Sequence, residues 1–355
     1  MKIVTIVGAR PQFIKLAPLS KALRENHEEI LLHTGQHYDL ELSSLIFQQL
    51  GIPLPDYNLE IGSGTHSSQT GEMLKGIEDV LVKEEPDLVI VFGDTNSTLA
   101  GALAAVKLQI EIAHVEAGLR SYNRKMPEEI NRIITDHISN ILFSPTDSAT
   151  ENLKKEGIVK GVFNVGDIMI DSLLNNIDIA NSQSNVLSKL NIDSNKYLLM
   201  TLHRQENTEN EQDMRQLLDA LKGVDEKIIF PIHPRTKVFL RKHGLFKNIE
   251  GSNIQVIRPV GYLDFLKLLG NCRKILTDSG GVQKEAYILK KPCITMRNET
   301  EWIETIEDGW NILVGLNGGR VEDAINNFNP ANQQRNVFGI GNSIEKMVNV
   351  INENC

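Results

Sequence analysis

Short apolar runs and helix-spaced apolar positions alternate along the chain. A run within Met1–Gly8 and the runs Ile30–Leu32, Leu88–Phe92 and Ile110–Val115 are separated by segments with helical spacing at Leu16–Leu23, Met73–Val82 and Thr98–Lys107. The short runs read as buried strands and the spaced segments as amphipathic helices, so their alternation predicts a parallel sheet with crossover helices. After about Phe163 the rhythm restarts, with strands expected at Tyr197–Leu202, Lys227–Ile232, Ile254–Ile257, Lys274–Thr277 and Cys293–Met296. The fold class expected is therefore α/β, with two doubly wound sheets facing a cleft. The polar stretch Asn175–Asn195, rich in Asn, Ser and Asp, reads as the change-over and divides the chain into residues 1–170 and 171–341. No solenoid-period repeat interrupts this pattern.

Composition narrows the partners. With 355 residues, 41% of them hydrophobic, the chain can bury two cores. A net charge of −9 with no basic stripe argues against a nucleic-acid or anionic-membrane surface. Binding of phosphate then has to come from local basic residues and helix ends. Cys272, Cys293 and Cys355 have no metal-like spacing and leave an odd thiol, as suits a reducing compartment. The amino end runs directly into Ala9-Arg10-Pro11, too soon for a signal peptide or membrane span, so a soluble cytoplasmic protein is expected.

Candidate chemistry lies at the strand ends, where open α/β sheets bind ligands. In Thr277-Asp278-Ser279-Gly280-Gly281-Val282-Gln283-Lys284-Glu285, the glycines let the backbone turn from a strand into a helix with free N–H groups. Such an opening suits a diphosphate, and Glu285 is placed to hold a ribose hydroxyl. An ordinary turn with Ser279 as a helix cap fits the same residues. The first strand delivers Arg10 and Lys15 beyond Gly8, with Pro11 opening the helix. Further strands end in Asp94 and Glu116, and a helix starting at Pro127 carries Glu128 and Arg132 one turn apart. Carboxylates crowded in a cleft raise one another's pKa, as a general acid or base near neutral pH requires. Capping by Asp94 and a surface pair of Glu128 with Arg132 are the plainer alternatives. His203, His233, Arg235 and Tyr262 follow later strands and suit contacts to phosphate or base, while His37 and the loop Gly62–His66 suit lid or sugar contacts.

These blocks together resemble the non-hydrolysing UDP-N-acetylglucosamine 2-epimerases along nearly the whole chain. The matching stretches are Gly8–Lys15, Gly93-Asp94-Thr95, His114–Arg120, Pro127–Arg132, His203-Arg204 and Thr277–Gly281. The resemblance implies a glycosyltransferase-B arrangement of two Rossmann-like domains, with a carboxyl-terminal helix in residues 342–355 returning to the first and UDP held mainly by the second. It implies a homodimer acting on a UDP-sugar without a cofactor, which agrees with the absence of a Gly-x-Gly-x-x-Gly fingerprint after the first strand. Carbon 2 of the sugar would be inverted by elimination and re-addition of UDP through a glycal. Asp94, Glu116 and Glu128 match the family's acid/base positions and His203 its catalytic or diphosphate-contacting histidine. Arg10, Lys15, Arg132, Ser279, Gly280, Gly281 and Glu285 fall in its substrate-binding blocks.

The chain departs from the family pattern at Glu301-Trp302-Ile303-Glu304, where an arginine near the nucleotide gives way to Trp302; Arg297 or Arg235 could offset the loss. Together with Gln12 in place of an acid, this resembles the branch acting on UDP-2,3-diacetamido-2,3-dideoxyglucuronate, since a neutral Gln12 removes repulsion toward a uronate carboxylate. The segment Gln36–Asp39 also departs from the form associated with an activating second substrate. A UDP-sugar glycosyltransferase, a hydrolysing epimerase and a non-catalytic UDP-sugar sensor are the rival functions.

Overall fold

The computed structural model describes every residue except 37–46, 48, 49, 205, 206, 208, 209 and 355. The chain divides into two compact units, one of residues 1–174 with 336–355 and one of residues 175–335.

In the first unit, β1 (Lys2–Val7), β2 (Glu28–His33), β3 (Tyr57–Asn58), β4 (Leu88–Phe92), β5 (Glu111–Val115), β6 (Ile141–Ser144) and β7 (Val162–Asn164) form a sheet ordered β3-β2-β1-β4-β5-β6-β7. All pairings are parallel. The apolar character of β1, interrupted by Thr5, follows from burial on both faces: Ile3 and Val7 join Phe13, Leu16 and Leu19 in one core, while Val4 and Ile6 join Met73, Ile77 and Ala100 in another. Each such side chain contributes roughly 1.5–3 kcal/mol. Helix Ser343–Asn354 adds Met347 and Ile351 to the first of these cores. Its first N–H groups, those of Ser343 and Ile344, donate to the Asp171 carboxylate.

In the second unit, β8 (Tyr197–Thr201), β9 (Lys227–Pro231), β10 (Ile254–Ile257), β11 (Lys274–Thr277), β12 (Cys293–Thr295) and β13 (Asn311–Leu313) form a parallel sheet ordered β10-β9-β8-β11-β12-β13. Leu198 and Met200 of β8 enter one core, Tyr197 and Leu199 the other. In both sheets the strand order reverses once, between β1 and β4 and between β8 and β11. Such a reversal opens a crevice at the strands' carboxyl ends.

Two features differ from expectation. Much of the polar stretch Asn175–Asn195 is helical, within Ile168–Gln183 and Val186–Leu190. Buried Ile168, Met169 and Leu173 anchor the first of these helices, and tertiary packing overrides the weak helix propensity of Asn and Ser. Strands β3, β6, β7 and β13, of two to four residues, carry too little periodicity to be read. Among the described residues, no helix is long and apolar enough to cross a membrane.

Candidate active site

At the first switch point, β1 leads into helix Arg10–Leu23, with Pro11 in its first turn, and β4 leads into helix Asn96–Lys107. Gly8 sits where a Cβ would come within 2.1 Å of Thr34 Oγ1 and 2.2 Å of Ser97 Oγ, so glycine is required for the close approach. The side chain of Arg10 is outside the described part. Lys15 projects back from the helix, and its buried ammonium pairs with the buried Glu116 carboxylate. Glu116 follows β5, and its backbone is left-handed at φ 73°. Phe92 and Val115 are register partners, so Asp94 and Glu116 leave the sheet side by side. Between them Gly93 is also left-handed, and a Cβ there would lie 3.3 Å from Glu116 Oε2 and 3.6 Å from Lys15 Nζ.

Asp94 does not cap the next helix. That position belongs to Thr95, whose hydroxyl accepts from the Thr98 N–H. The Asp94 carboxylate, about one-third exposed at 34%, instead accepts from Arg132 Nη1 at 2.6 Å. Arg132 is buried and its other nitrogen binds Glu129 Oε2 at 2.7 Å, so it pairs with Asp94 and Glu129 and not with Glu128. Glu128 stands half-buried in the first turn of helix Pro127–Ile138. Glu129, not singled out in the sequence, also accepts from the Ser121 and Tyr122 N–H groups at 2.9 Å. Burial pushes its pKa up, but these bonds and Arg132 outweigh that and hold the carboxyl below its usual range.

Behind the strand ends lies a buried network. His114 Nε2 donates to the Gly93 carbonyl at 2.8 Å, and Nδ1 faces Asp136 Oδ1 at 2.7 Å. Asp136 Oδ2 accepts from Arg120 Nη1 at 2.7 Å and from the Gly118 N–H at 3.0 Å, while Arg120 forks onto Glu156. Burial would raise the Asp136 pKa, yet His114 and Arg120 together hold it below its ordinary value.

At the second switch point, β11 leads into Asp278, which is wholly buried. Its Oδ2 accepts from the N–H groups of His203 and Arg204 at 2.9 and 2.8 Å, and its Oδ1 lies 3.2 Å from His203 Nδ1. Burial opposes ionisation, but His203 and the backbone donors prevail and bring the pKa down to about 2. The His203 side chain is 42% exposed, so the ring is oriented from behind and open in front. His233 lies beside it, with ring centroids 5.8 Å apart, and accepts the Arg235 N–H as cap of helix Pro234–Lys242. Arg235 is exposed. Ser279 occupies the cap position of helix Gly280–Ile288 without a side-chain capping bond. Gly280 and Gly281 form the helix opening, Glu285 is buried one turn inside, and Tyr262, also buried, begins helix Tyr262–Asn271.

A sequence model of the family described as UDP-N-acetylglucosamine 2-epimerase matches residues 21–352. The chain belongs to the UDP-N-acetylglucosamine 2-epimerase family. It is 60% identical over 354 residues to a UDP-N-acetylglucosamine 2-epimerase homolog of Methanococcus maripaludis, covering 99% of each chain. It is 51% identical over 323 residues to the UDP-2,3-diacetamido-2,3-dideoxy-D-glucuronate 2-epimerase of Pseudomonas aeruginosa, covering 89% of this chain and 88% of that one. The crystal structure of Methanocaldococcus jannaschii UDP-GlcNAc 2-epimerase in complex with UDP-GlcNAc and UDP superposes with a TM-score of 0.94 at 48% identity, covering 99% of this chain and 100% of that one.

In this UDP-N-acetylglucosamine 2-epimerase family member, Trp302 is buried with Lys284 Nζ 4.1 Å from its ring centroid, and its indole nitrogen is 3.3 Å from where a Cβ on Gly280 would lie. Arg297 is committed to Glu301, at 2.9 Å, with Arg204 3.6 Å from the same carboxylate. Gln12 is buried, and its carboxamide bonds the Gly8 and Ala9 N–H groups and the Phe92 carbonyl. His66 is exposed and begins helix His66–Glu84, its Nδ1 3.1 Å from Asn96 Nδ2. His37, Tyr38 and Asp39 lie outside the described residues. Sequence reasoning missed Glu129, Asp136 and Asp278 as site-building residues, although each stood inside or beside a block already singled out.

Proposed function

We propose that the protein is a non-hydrolysing UDP-N-acetylhexosamine 2-epimerase. The observation that carries this is the pair of carboxylates, Asp94 and Glu116, leaving adjacent strands at a switch point, each ion-paired by its own cation. Each pairing fixes the position of its carboxylate at the strand end, as proton transfer at a defined carbon requires. A base removes the proton from carbon 2 while the bond from carbon 1 to the diphosphate oxygen breaks, its electron pair leaving with UDP in an anti elimination. The glycal then receives a proton at the opposite face of carbon 2, and UDP re-adds at carbon 1, so no net oxidation occurs and no cofactor is consumed.

Asp94, Glu116 and Glu128 form the coupled acid/base set, with individual steps shared among them. Lys15 and Arg132 hold two of them in place. His203, backed by Asp278, faces the diphosphate, which sits at the opening formed by Ser279, Gly280 and Gly281, with Glu285 toward the ribose. His233, Arg235, Tyr262 and Arg10 complete the UDP-sugar site. The substrate favoured is UDP-2,3-diacetamido-2,3-dideoxyglucuronate, supported by the likeness to the Pseudomonas aeruginosa enzyme and by Trp302, with UDP-N-acetylglucosamine as the other.

Proton NMR of each sugar with the enzyme in deuterated water tests this. Deuterium at carbon 2 with a manno-configured UDP product is expected from one of them. Exchange with neither would remove the epimerase assignment.

A further inference from the structure

Building on the epimerase function proposed above, we infer that Glu129 is a positioning residue for Asp94 and acts through Arg132, whose guanidinium it holds in one orientation. Arg132 Nε and Nη2 both donate to Glu129 Oε2, at 3.0 and 2.7 Å, which fixes one edge of the planar guanidinium. Nη1, on the other side of the plane's axis, then meets Asp94 Oδ2 at 2.6 Å. The two carboxylates differ in how they are held. Asp94 is partly open to solvent, whereas Glu129 is buried and anchored by backbone donors as well as by the arginine. The Ser121 N–H reaches its Oε2 and the Tyr122 N–H its Oε1, each at 2.9 Å.

Those backbone donors set the direction of the effect. The segment Ser121-Tyr122 fixes Glu129, Glu129 fixes Arg132, and Arg132 fixes Asp94. Tyr122 has φ 60°, a left-handed conformation that a bulky residue holds only where its surroundings impose it, and the bond from its N–H to Glu129 is such a constraint. Glu129 lies in the Pro127–Arg132 block that matches the family pattern, three residues before Arg132 on one helix, where this spacing brings the two side chains together. A glutamine there keeps the shape but has one acceptor oxygen, so its NH₂ group faces either the Tyr122 N–H or the arginine. Arg132 then keeps Asp94 but loses the charge that orients its other edge, and its guanidinium rotates.

The test compares kcat, KM and UDP affinity in wild type, Glu129→Gln, Arg132→Met and the double variant, with a crystal structure of Glu129→Gln. A misplacement of about 1 Å at a reacting group costs on the order of 100-fold, so Glu129→Gln is expected to lose about that in kcat while UDP affinity stays within about threefold. Because the effect runs through Arg132, the double variant should be no slower than Arg132→Met alone. A double variant slower again by the factor seen in Glu129→Gln would overturn the inference, since it marks a defect of folding or of the Ser121-Tyr122 segment independent of the arginine. Wild-type kcat in Glu129→Gln would overturn it too. Should that variant not fold, Glu129→Asp takes its place in every measurement; it keeps the charge but withdraws it from Arg132 by one carbon–carbon bond, and kcat should again fall with UDP affinity kept. A wild type that acts on neither sugar refutes the epimerase assignment alone. In that case, or where Arg132→Met has no measurable rate, the crystal structure decides: an undisturbed 2.6 Å contact between Arg132 Nη1 and Asp94 refutes the inference, and a displaced guanidinium supports it.

Discussion

Asp136→Asn probes how far the strand ends depend on what lies behind them. The carboxylate receives hydrogens from His114 Nδ1 at 2.7 Å, Arg120 Nη1 at 2.7 Å and the Gly118 N–H at 3.0 Å, with no exposed side-chain surface. Asparagine keeps one acceptor and turns an NH₂ group against donors, leaving Arg120 with Glu156 as its charged partner among the described residues. Removing one member of a buried charged set costs about 3–5 kcal/mol. For a unit of roughly 150–250 residues each kcal/mol moves Tm by about 2–4 °C, so a fall of about 6–20 °C is expected by calorimetry at pH 7. Glu156→Gln is the control, since that carboxylate is 27% exposed and its removal should cost about 1 kcal/mol or less. The Asp136 pKa is depressed in the folded state, so its contribution is present above the unfolded value of about 3.9 and disappears as pH falls through the folded one. The deficit of the variant should therefore narrow in acid. A loss under about 1 kcal/mol, or one matched by Glu156→Gln, would refute the idea that Asp136 organises a buried network.

Asp94→Asn and Glu116→Gln should each abolish turnover while UDP binding, followed by calorimetric titration, stays measurable; wild-type rates would remove both from the acid/base set. Gly93→Ala forces a side chain into φ +63° and 3.3 Å from Glu116 Oε2. It should cost about 1–2 kcal/mol in Tm-derived stability and lower kcat by more than that strain explains, with unchanged kcat as the contrary result. For Asp278, a pKa depressed from 3.8 to about 2 corresponds to about 2 kcal/mol. That stability is complete above pH ~4 and is lost as pH falls through about 2, so Asp278→Asn should lower stability at neutral pH and flatten the acid limb of denaturation. An acid limb identical to wild type would contradict it.

Both sheets were legible because their central strands are apolar on two faces, so β1, β4, β8 and β11 stand out as short, mostly apolar runs. The polar residues at those ends were legible for the same reason, since a run that stops at Gly93-Asp94 or Thr277-Asp278 marks a carboxyl edge. What sequence could not show was who holds whom. Lys15 and Glu116 are 101 positions apart, and no local spacing predicts their pairing. Arg132 looked like the partner of Glu128 one turn back, but burial aims it at Glu129 and across to Asp94. Capping was the plainer alternative for Asp94, which precedes a helix, but the neighbouring Thr95 takes that place and the Asp94 carboxylate meets Arg132. The fold also supplies a cation to each of Asp94 and Glu116, which no local spacing announces.

The first unit is discontinuous in the chain, which sets an order of events during synthesis. Residues 175–335 form a continuous unit that can complete its sheet before residues 336–355 have been made. The earlier unit must wait, because Met347 and Ile351 fill its core and Asp171 lacks the N–H groups of Ser343 and Ile344 until residues 343–351 have been made. The half made first is therefore finished last, and a chain stopped before residue 336 should expose a β-sheet core that chaperones and proteases recognise.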